Sequence, residues 1–230
     1  MQKEYRIIPD KFRFLSGSMI KLIAVITMLI DHTACYFFTR GEMPYTLMRG
    51  IGRIAFPIFA FLLAEGFIYT RNRLKYGTSL LICAVLSELP FNLVHTGTVF
   101  YYEGQNVFFT LFFGFLGMCV ITYIKKYPLL QIACLIALGV AAALLNTDYK
   151  VVGVAFILLM FALRENELVR PFAVFMLGNS WWALGAFVPI SFYNGKRGFI
   201  KGPVLKYAFY AFYPVHLFVM YLIKYRVFFR

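Results

Sequence analysis

Asp31 and His32 stand side by side inside the first long apolar stretch of the chain, the run from Met19 to Phe38. An ionisable side chain at the centre of a bilayer costs roughly 2.5–3.5 kcal/mol on insertion scales, so such residues read as functional by default and call for a partner. An imidazole is also the side chain best matched to proton transfer near neutral pH. The pair therefore makes a catalytic reading, with the imidazole moving a proton, worth weighing before a purely structural one.

Other polar residues interrupt the later apolar runs. Arg49 and Arg53 are four apart and share a helix face. Arginine presents a planar fork suited to carboxylate or phosphate. Arg49, at the membrane edge, reads as snorkelling to the interface or as a structural tie to Asp31 or Glu65. Arg53 lies deeper and precedes Pro57, and it fits a functional or a structural role equally well. Glu88, Asn92 and His95 fall on one face of the stretch Ser87-Glu88-Leu89-Pro90-Phe91-Asn92-Leu93-Val94-His95. Glu88 has no cation near it in sequence, so Arg53 or Arg71 is its expected partner. His95, close to the following loop, reads as interfacial.

Asn106, Thr110, Gly114 and Gly117 form a stripe of small and polar residues, the usual mark of close helix packing. Thr110 to Gly117 is read as packing, and Asn106 is left open. Tyr213 and His216, three apart, either form a ring pair that fixes a tautomer or binds a carbonyl, or belong to an aromatic belt. Asn146-Thr147-Asp148-Tyr149 is a turn signal, with Asp148 a candidate outer-loop acid.

These residues need a scaffold, and the composition says what kind. Of 230 residues, 61% are hydrophobic, 20% aromatic and 14% charged, too apolar a mixture for a soluble domain of this size. The chain is expected to be all-α: a single polytopic helical membrane domain over residues 1–230. A net charge of +13 fits cations clustered in the loops between spans. Nucleic-acid binding is set aside because no soluble recognition module is visible. Cys35, Cys83, Cys119 and Cys134 all lie in apolar runs and read as small buried hydrophobes; no metal site is expected. No Walker loop, GxSxG, HExxH or GxGxxG occurs.

About eight helices are expected, near 17–39, 49–70, 76–95, 106–124, 129–146, 150–163, 171–192 and 204–223. The second contains Pro57, and the seventh contains Gly178-Asn179-Ser180. The first is too long for a signal-peptide core and no cleavage site follows it, so it is expected to remain as a helix. With both termini cytoplasmic, Lys and Arg divide 15 inside to 7 outside. One loop objects: Asn194-Gly195-Lys196-Arg197-Gly198, with Lys201 and Lys206, is strongly basic yet falls outside. Either the span count near 150–192 is off by one, or the seventh segment is re-entrant, or these cations serve a function.

The ordered polar motifs carry a family resemblance. They are Lys21 to His32, Ile51-Gly52-Arg53-Ile54-Ala55-Phe56-Pro57, Glu65-Gly66, Thr70-Arg71-Asn72-Arg73, Ser87 to Asn92, Asn106 to Thr110, Leu145 to Tyr149, Tyr193 to Gly198 and Phe212-Tyr213-Pro214-Val215-His216. Over roughly residues 15–223 the chain resembles the TraX family of bacterial membrane proteins, named for a conjugal-transfer protein associated with pilin acetylation. That family in turn looks like a compact relative of larger transmembrane acyltransferases, including the acyltransferase type three family. Those proteins carry an essential histidine in an early helix and take an acyl-CoA donor from the cytoplasm.

The resemblance implies a multi-pass protein of the inner (cytoplasmic) membrane that transfers an acyl group, typically acetyl, from acyl-CoA to a hydroxyl or amine. The acceptor would be a pilin peptide, glycan, lipid or small molecule. His32 takes the place of the general base, with Asp31, Arg53 and Glu88 beside it. Arg53, Asn92 and Asn106 are candidate oxyanion donors. Arg71, Arg73 and Lys75, or Lys196 and Arg197 if the topology differs, are candidates for the CoA phosphates. Glu65, Asp148, Asn194, Tyr213 and His216 are further substrate or structural polar residues. The rival reading is a small proton-coupled transporter or flippase, with Asp31, His32 and Glu88 as the relay; no inverted repeat is visible to favour it.

Overall fold

The computed structural model describes residues 7–178 and 181–227. Asn179 and Ser180 of the seventh candidate span, and the cations Lys3, Arg6 and Arg230, lie outside the described residues. Among those described, the fold is all-helical: a short 3₁₀ turn at Asp10–Phe12, then eleven α-helices and two isolated β-bridges. They are α1 (Gly17–Phe37), α2 (Met43–Gly52), α3 (Ala55–Tyr69), α4 (Arg73–Thr96), α5 (Val107–Tyr123), α6 (Pro128–Leu144), α7 (Lys150–Ala162), α8 (Val169–Gly178), α9 (Trp181–Leu184), α10 (Phe187–Ser191) and α11 (Gly202–Val227). By length and composition, Gly17–Phe37, Met43–Tyr69 and Arg73–Thr96 can cross a membrane; Val107–Tyr123, Pro128–Leu144 and Lys150–Ala162 are shorter apolar helices.

The expected second span is two helices, α2 and α3. The chain breaks at Arg53 and Ile54, so Pro57 falls in the first turn of α3, where a missing N–H costs little. The seventh candidate is divided among α8, α9 and α10.

The residues form two compact units, each built from two stretches of chain. The first comprises residues up to Leu62 with Leu159–Lys206. In it, α1 and α2 form a helical hairpin. The N-terminal end of α1 is bound by distant segments. Arg13 makes a two-pronged contact with Glu167, Nη1 to Oε1 at 2.8 Å and Nη2 to Oε2 at 2.7 Å. Leu15 pairs with Tyr193 as a parallel bridge. The Lys196 carbonyl accepts from Gly17 N at 2.8 Å, and the Arg197 carbonyl accepts from Ser18 N and Ser18 Oγ at 2.9 and 2.7 Å. These bonds satisfy amides that the first turn of a helix leaves without partners. Gly198, at φ +85°, makes the approach possible, since a Cβ there would overlap Ser16 and Ser18.

This answers the objection raised by the basic loop. Glu167 and Tyr193 both meet the residues just before α1, so the segment between them enters and leaves at one end of that helix. At 1.5 Å per residue, the ten residues of α8 reach about 15 Å, half of a hydrocarbon core about 30 Å thick. The α8–α10 segment is therefore a re-entrant hairpin. Lys196, Arg197 and Lys201 lie on the N-terminal side of α1, and not across the membrane from it. α11 begins just after this loop, at Gly202, and is 26 residues long, about 39 Å.

The second unit comprises Leu63–Leu158 with the chain from Tyr207 onward. Its core joins Phe113 of α5, Ala142 of α6 and Val154 of α7. Gly114 and Gly117 lie against Ile157 and Leu158, where a Cβ would overlap those side chains. The small-residue stripe is packing, as read. Thr110 is fully buried and accepts from Tyr149 N at 3.3 Å, tying the α6–α7 turn to α5. At the far end of α11, Lys224 Nζ donates to the Val94 carbonyl at 3.0 Å, beside the α4 C-terminus.

Candidate active site

Asp31 and His32 lie in the fourth turn of α1, both half-buried. Consecutive helix positions point about 100° apart, so the two side chains do not face each other. Asp31 faces α2. Its Oδ2 accepts from Arg49 Nη1, with side chains 19% and 23% exposed. The charge of Arg53, one turn further along, also acts on Asp31. Asp31 Oδ1 is buried without a hydrogen-bond partner among the described residues. Asp31 is thus a partner of Arg49. The structural tie expected of Arg49 is present.

Two glycines make this possible. A Cβ on Gly52 would run into the Asp31 carboxylate, and one on Gly50 would run into the Trp182 indole. The Gly50-Ile51-Gly52 step thus admits the acid on one side and the α9 end of the re-entrant hairpin on the other. Gly185 approaches Ile54 in the same region. Sequence reasoning did not single out Trp182; an apolar ring in an apolar run carries no signal of its own.

His32 stacks obliquely near Tyr36, with ring centroids 5.9 Å apart. Arg53 caps α2, its N–H donating to the carbonyls of Arg49 and Gly50, and its side chain is half-buried. In this unit the geometry joins an imidazole, a carboxylate tied to one arginine, and a second arginine near that carboxylate.

Asn194 and the loop cations are also in this unit. Asn194 Oδ1 accepts from Lys196 N at 2.9 Å, an Asx turn that shapes the loop. Lys196 and Arg197 give their carbonyls to α1 and leave their side chains exposed.

The remaining candidates belong to the second unit. Glu88 takes a hydrogen bond from Asn106 Nδ2 at 2.6 Å, where Arg53 or Arg71 was the expected partner. Asn106 is fully buried; it also donates to the Ala84 carbonyl at 2.8 Å, and its Oδ1 caps α5 by accepting from Phe108 N at 3.1 Å. All its polar capacity is spent on structure. Glu88 Oε1 is buried without a hydrogen-bond partner among the described residues. Asn92 Nδ2 donates to the Val99 carbonyl at 2.9 Å and shapes the loop after α4.

Tyr213 is buried, meets the Phe108 ring edge-on at 5.2 Å, and its hydroxyl oxygen accepts from the Val107 backbone N–H at the start of α5. His216 packs against Tyr213 at 5.4 Å. Its Nδ1 lies 2.9 Å from the Phe212 carbonyl, and because a carbonyl only accepts, the proton sits on Nδ1 and Nε2 is the basic nitrogen. Asp148 is exposed on the α6–α7 turn, and Glu65 is buried on α3. Arg73 is engaged: Nε donates to the Phe67 carbonyl at 3.4 Å, Nη1 to the Tyr123 hydroxyl at 2.7 Å, and both rings lie against its guanidinium. Arg71 is exposed. Among the described residues no group of three His, Cys, Asp or Glu side chains could hold a metal ion.

A family model described as "TraX protein" matches residues 16–224 of the chain. The "Probable fimbrial assembly protein FimC, serogroup H1" of Dichelobacter nodosus is 30% identical over 235 aligned positions, covering 88% of this chain and 93% of that protein. The uncharacterized protein RP591 of Rickettsia prowazekii (strain Madrid E) is 31% identical over 109 positions, covering 47% of this chain and 37% of that protein. No solved structure matches the chain.

Proposed function

Because the chain belongs to the TraX family, we propose that it is a multi-pass acyltransferase of the cytoplasmic membrane, acting on a surface-fibre subunit or its glycan. The fimbrial relative supports the acceptor class. The observation that carries the chemistry is the half-buried His32, one residue from a carboxylate already neutralised by Arg49. An acid tied elsewhere leaves the imidazole as the adjacent group suited to exchanging protons.

His32 removes the proton from an acceptor hydroxyl or amine. The acceptor oxygen or nitrogen attacks the thioester carbonyl of acyl-CoA. The carbonyl oxygen gains charge, and Arg53 is the donor in this unit able to meet it. The C–S bond then breaks, and the departing thiolate takes the proton from the imidazolium. One acyl bond is exchanged for another and no redox partner is needed. In this reading residues 7–16 face the cytoplasm, where the donor is made.

The test uses purified protein in nanodiscs with radiolabelled acetyl-CoA and a pilin-type peptide or glycan acceptor. Expected are label transfer and release of free CoA thiol, with a loss of more than 100-fold in His32→Ala and an unchanged melting temperature. Wild-type turnover in that variant removes His32 from the mechanism. Absence of transfer and thiol release, together with acceptor-driven proton flux in liposomes, replaces this reading with the transporter.

A further inference from the structure

The cations at the N-terminal end of α1 have a geometry that the fold fixes and that the acyl-transfer step does not use. Ile200 N donates to Ser18 Oγ at 2.8 Å, so the whole loop from Tyr193 to Ile200 is pinned along residues 15–18 by its backbone. Carbonyls make the contacts, and the side chains of Lys196, Arg197 and Lys201 are left exposed. One turn below Ser18 on the same helix is Lys21, which feels the charges of Arg197 and of Lys206 in the first turns of α11. Lys21, Arg197 and Lys206 thus lie near one another, and Lys196 and Lys201 are carried on the same pinned stretch of chain. The carboxylates of Asp10 and Glu167 at this end of α1 are held by Arg13, at 3.5 and 2.7 Å. Like charges gathered on one short stretch of the fold suit an anion carrying more than one phosphate.

We propose that Lys21, Lys196, Arg197, Lys201 and Lys206 form a binding site for a phosphate-bearing anion at the N-terminal face of α1. The site deepens the acyltransferase reading and rests on it for one of its two sources: the phosphorylated nucleotide end of CoA, the other being an anionic lipid headgroup. Side chains hold the anion, because the α1 amides that would otherwise attract it are occupied by the Lys196 and Arg197 carbonyls. From Gly17 to His32 is about 22 Å of helix. A nucleotide held at the loop leaves the extended arm of the donor to cover that depth. The other expected anchor is less suited, since the fork of Arg73 is committed to Phe67 and Tyr123.

The probe is adenosine 3′,5′-bisphosphate, titrated into the full chain in nanodiscs of zwitterionic lipid. A paired variant, Lys196→Gln with Arg197→Gln, keeps the backbone carbonyls that cap α1. Expected is saturable binding that weakens with salt and a 10- to 100-fold weaker affinity in the variant, at unchanged melting temperature. If the bisphosphate does not bind but phosphatidylglycerol co-purifies with wild type and is lost from the variant, the site stands and its source is lipid. Equal retention of both probes in wild type and variant, or binding of neither to wild type, overturns the site. Bisphosphate binding without any acyl transfer keeps the site and removes the acyltransferase. Acyl transfer with an unchanged KM for acetyl-CoA in the variant, and no lipid difference, keeps the enzyme and removes the site.

Discussion

Arg49 reaches across the α1–α2 hairpin to hold Asp31, eighteen residues earlier in the chain, through a single guanidinium nitrogen. Breaking a largely buried pair strands a charge and costs more than removing both partners. Arg49→Gln should therefore lower stability by about 2–4 kcal/mol, and adding Asp31→Asn should recover part of the loss. Thermal unfolding of the two single variants and the double variant in nanodiscs decides it. Losses that simply add would mean that the pair contributes no coupling.

Gly52→Ala and Gly50→Ala should each cost about 1–3 kcal/mol by overpacking, but for different reasons. The first forces the Asp31 carboxylate aside, and the second the Trp182 ring. Asp31→Ala should thus relieve Gly52→Ala and leave Gly50→Ala as damaging as before. Melting temperatures of the combinations test this. Equal relief at both positions would contradict the distinct contacts.

Asn106 should tolerate alanine better than aspartate. Asn106→Ala removes a helix cap and one donor to Glu88, a loss of about 2–3 kcal/mol. Asn106→Asp keeps the cap acceptor but sets a second carboxylate where an amide now donates at 2.6 Å. The ranking in a denaturation series is the readout. Aspartate performing as well as asparagine would show that Glu88 needs no donor there.

The re-entrant hairpin sets which side of the membrane each loop labels. In a background with Cys35, Cys83, Cys119 and Cys134 replaced, Lys196→Cys and Lys11→Cys should react with an impermeant maleimide from the same side. Glu42→Cys, at the opposite end of the α1–α2 hairpin, should react from the other. Labelling of Lys196→Cys together with Glu42→Cys would make α8–α10 a full crossing.

Residues whose role depends on local spacing were legible in the sequence. The Thr110 to Gly117 stripe was readable as packing because glycine spacing alone determines how closely another helix can approach. The tie between Asp31 and Arg49 was among the expected pairings because a charge in a span needs a partner and few cations lay near. The re-entrant hairpin was harder. Residues 171–192 are long and apolar enough for a span, and the Gly178-Asn179-Ser180 interruption and the misplaced charges of Lys196 and Arg197 signalled the fault. The Asn106–Glu88 contact and the engagement of Arg73 were hidden, because both depend on side chains brought together by tertiary packing. An amide partner for a carboxylate leaves no charge pattern to follow. Trp182 was missed for a related reason: its importance comes from the glycine opposite, not from its own type.

The bond between the start of α1 and the loop at residues 193–200 also sets an order of events during synthesis. The amides of Gly17 and Ser18 emerge from the ribosome about 180 residues before the carbonyls that will receive them. At typical elongation rates of roughly 5–20 residues per second, that wait lasts on the order of 10–40 s. Through that interval α1 is inserted with an unfinished end, while the whole of Leu63–Leu158 is made and threaded in between. A nascent chain stalled before residue 193 therefore has a first helix that remains open to proteases at its leading edge. Release of the last stretch is what fastens the oldest part of the molecule.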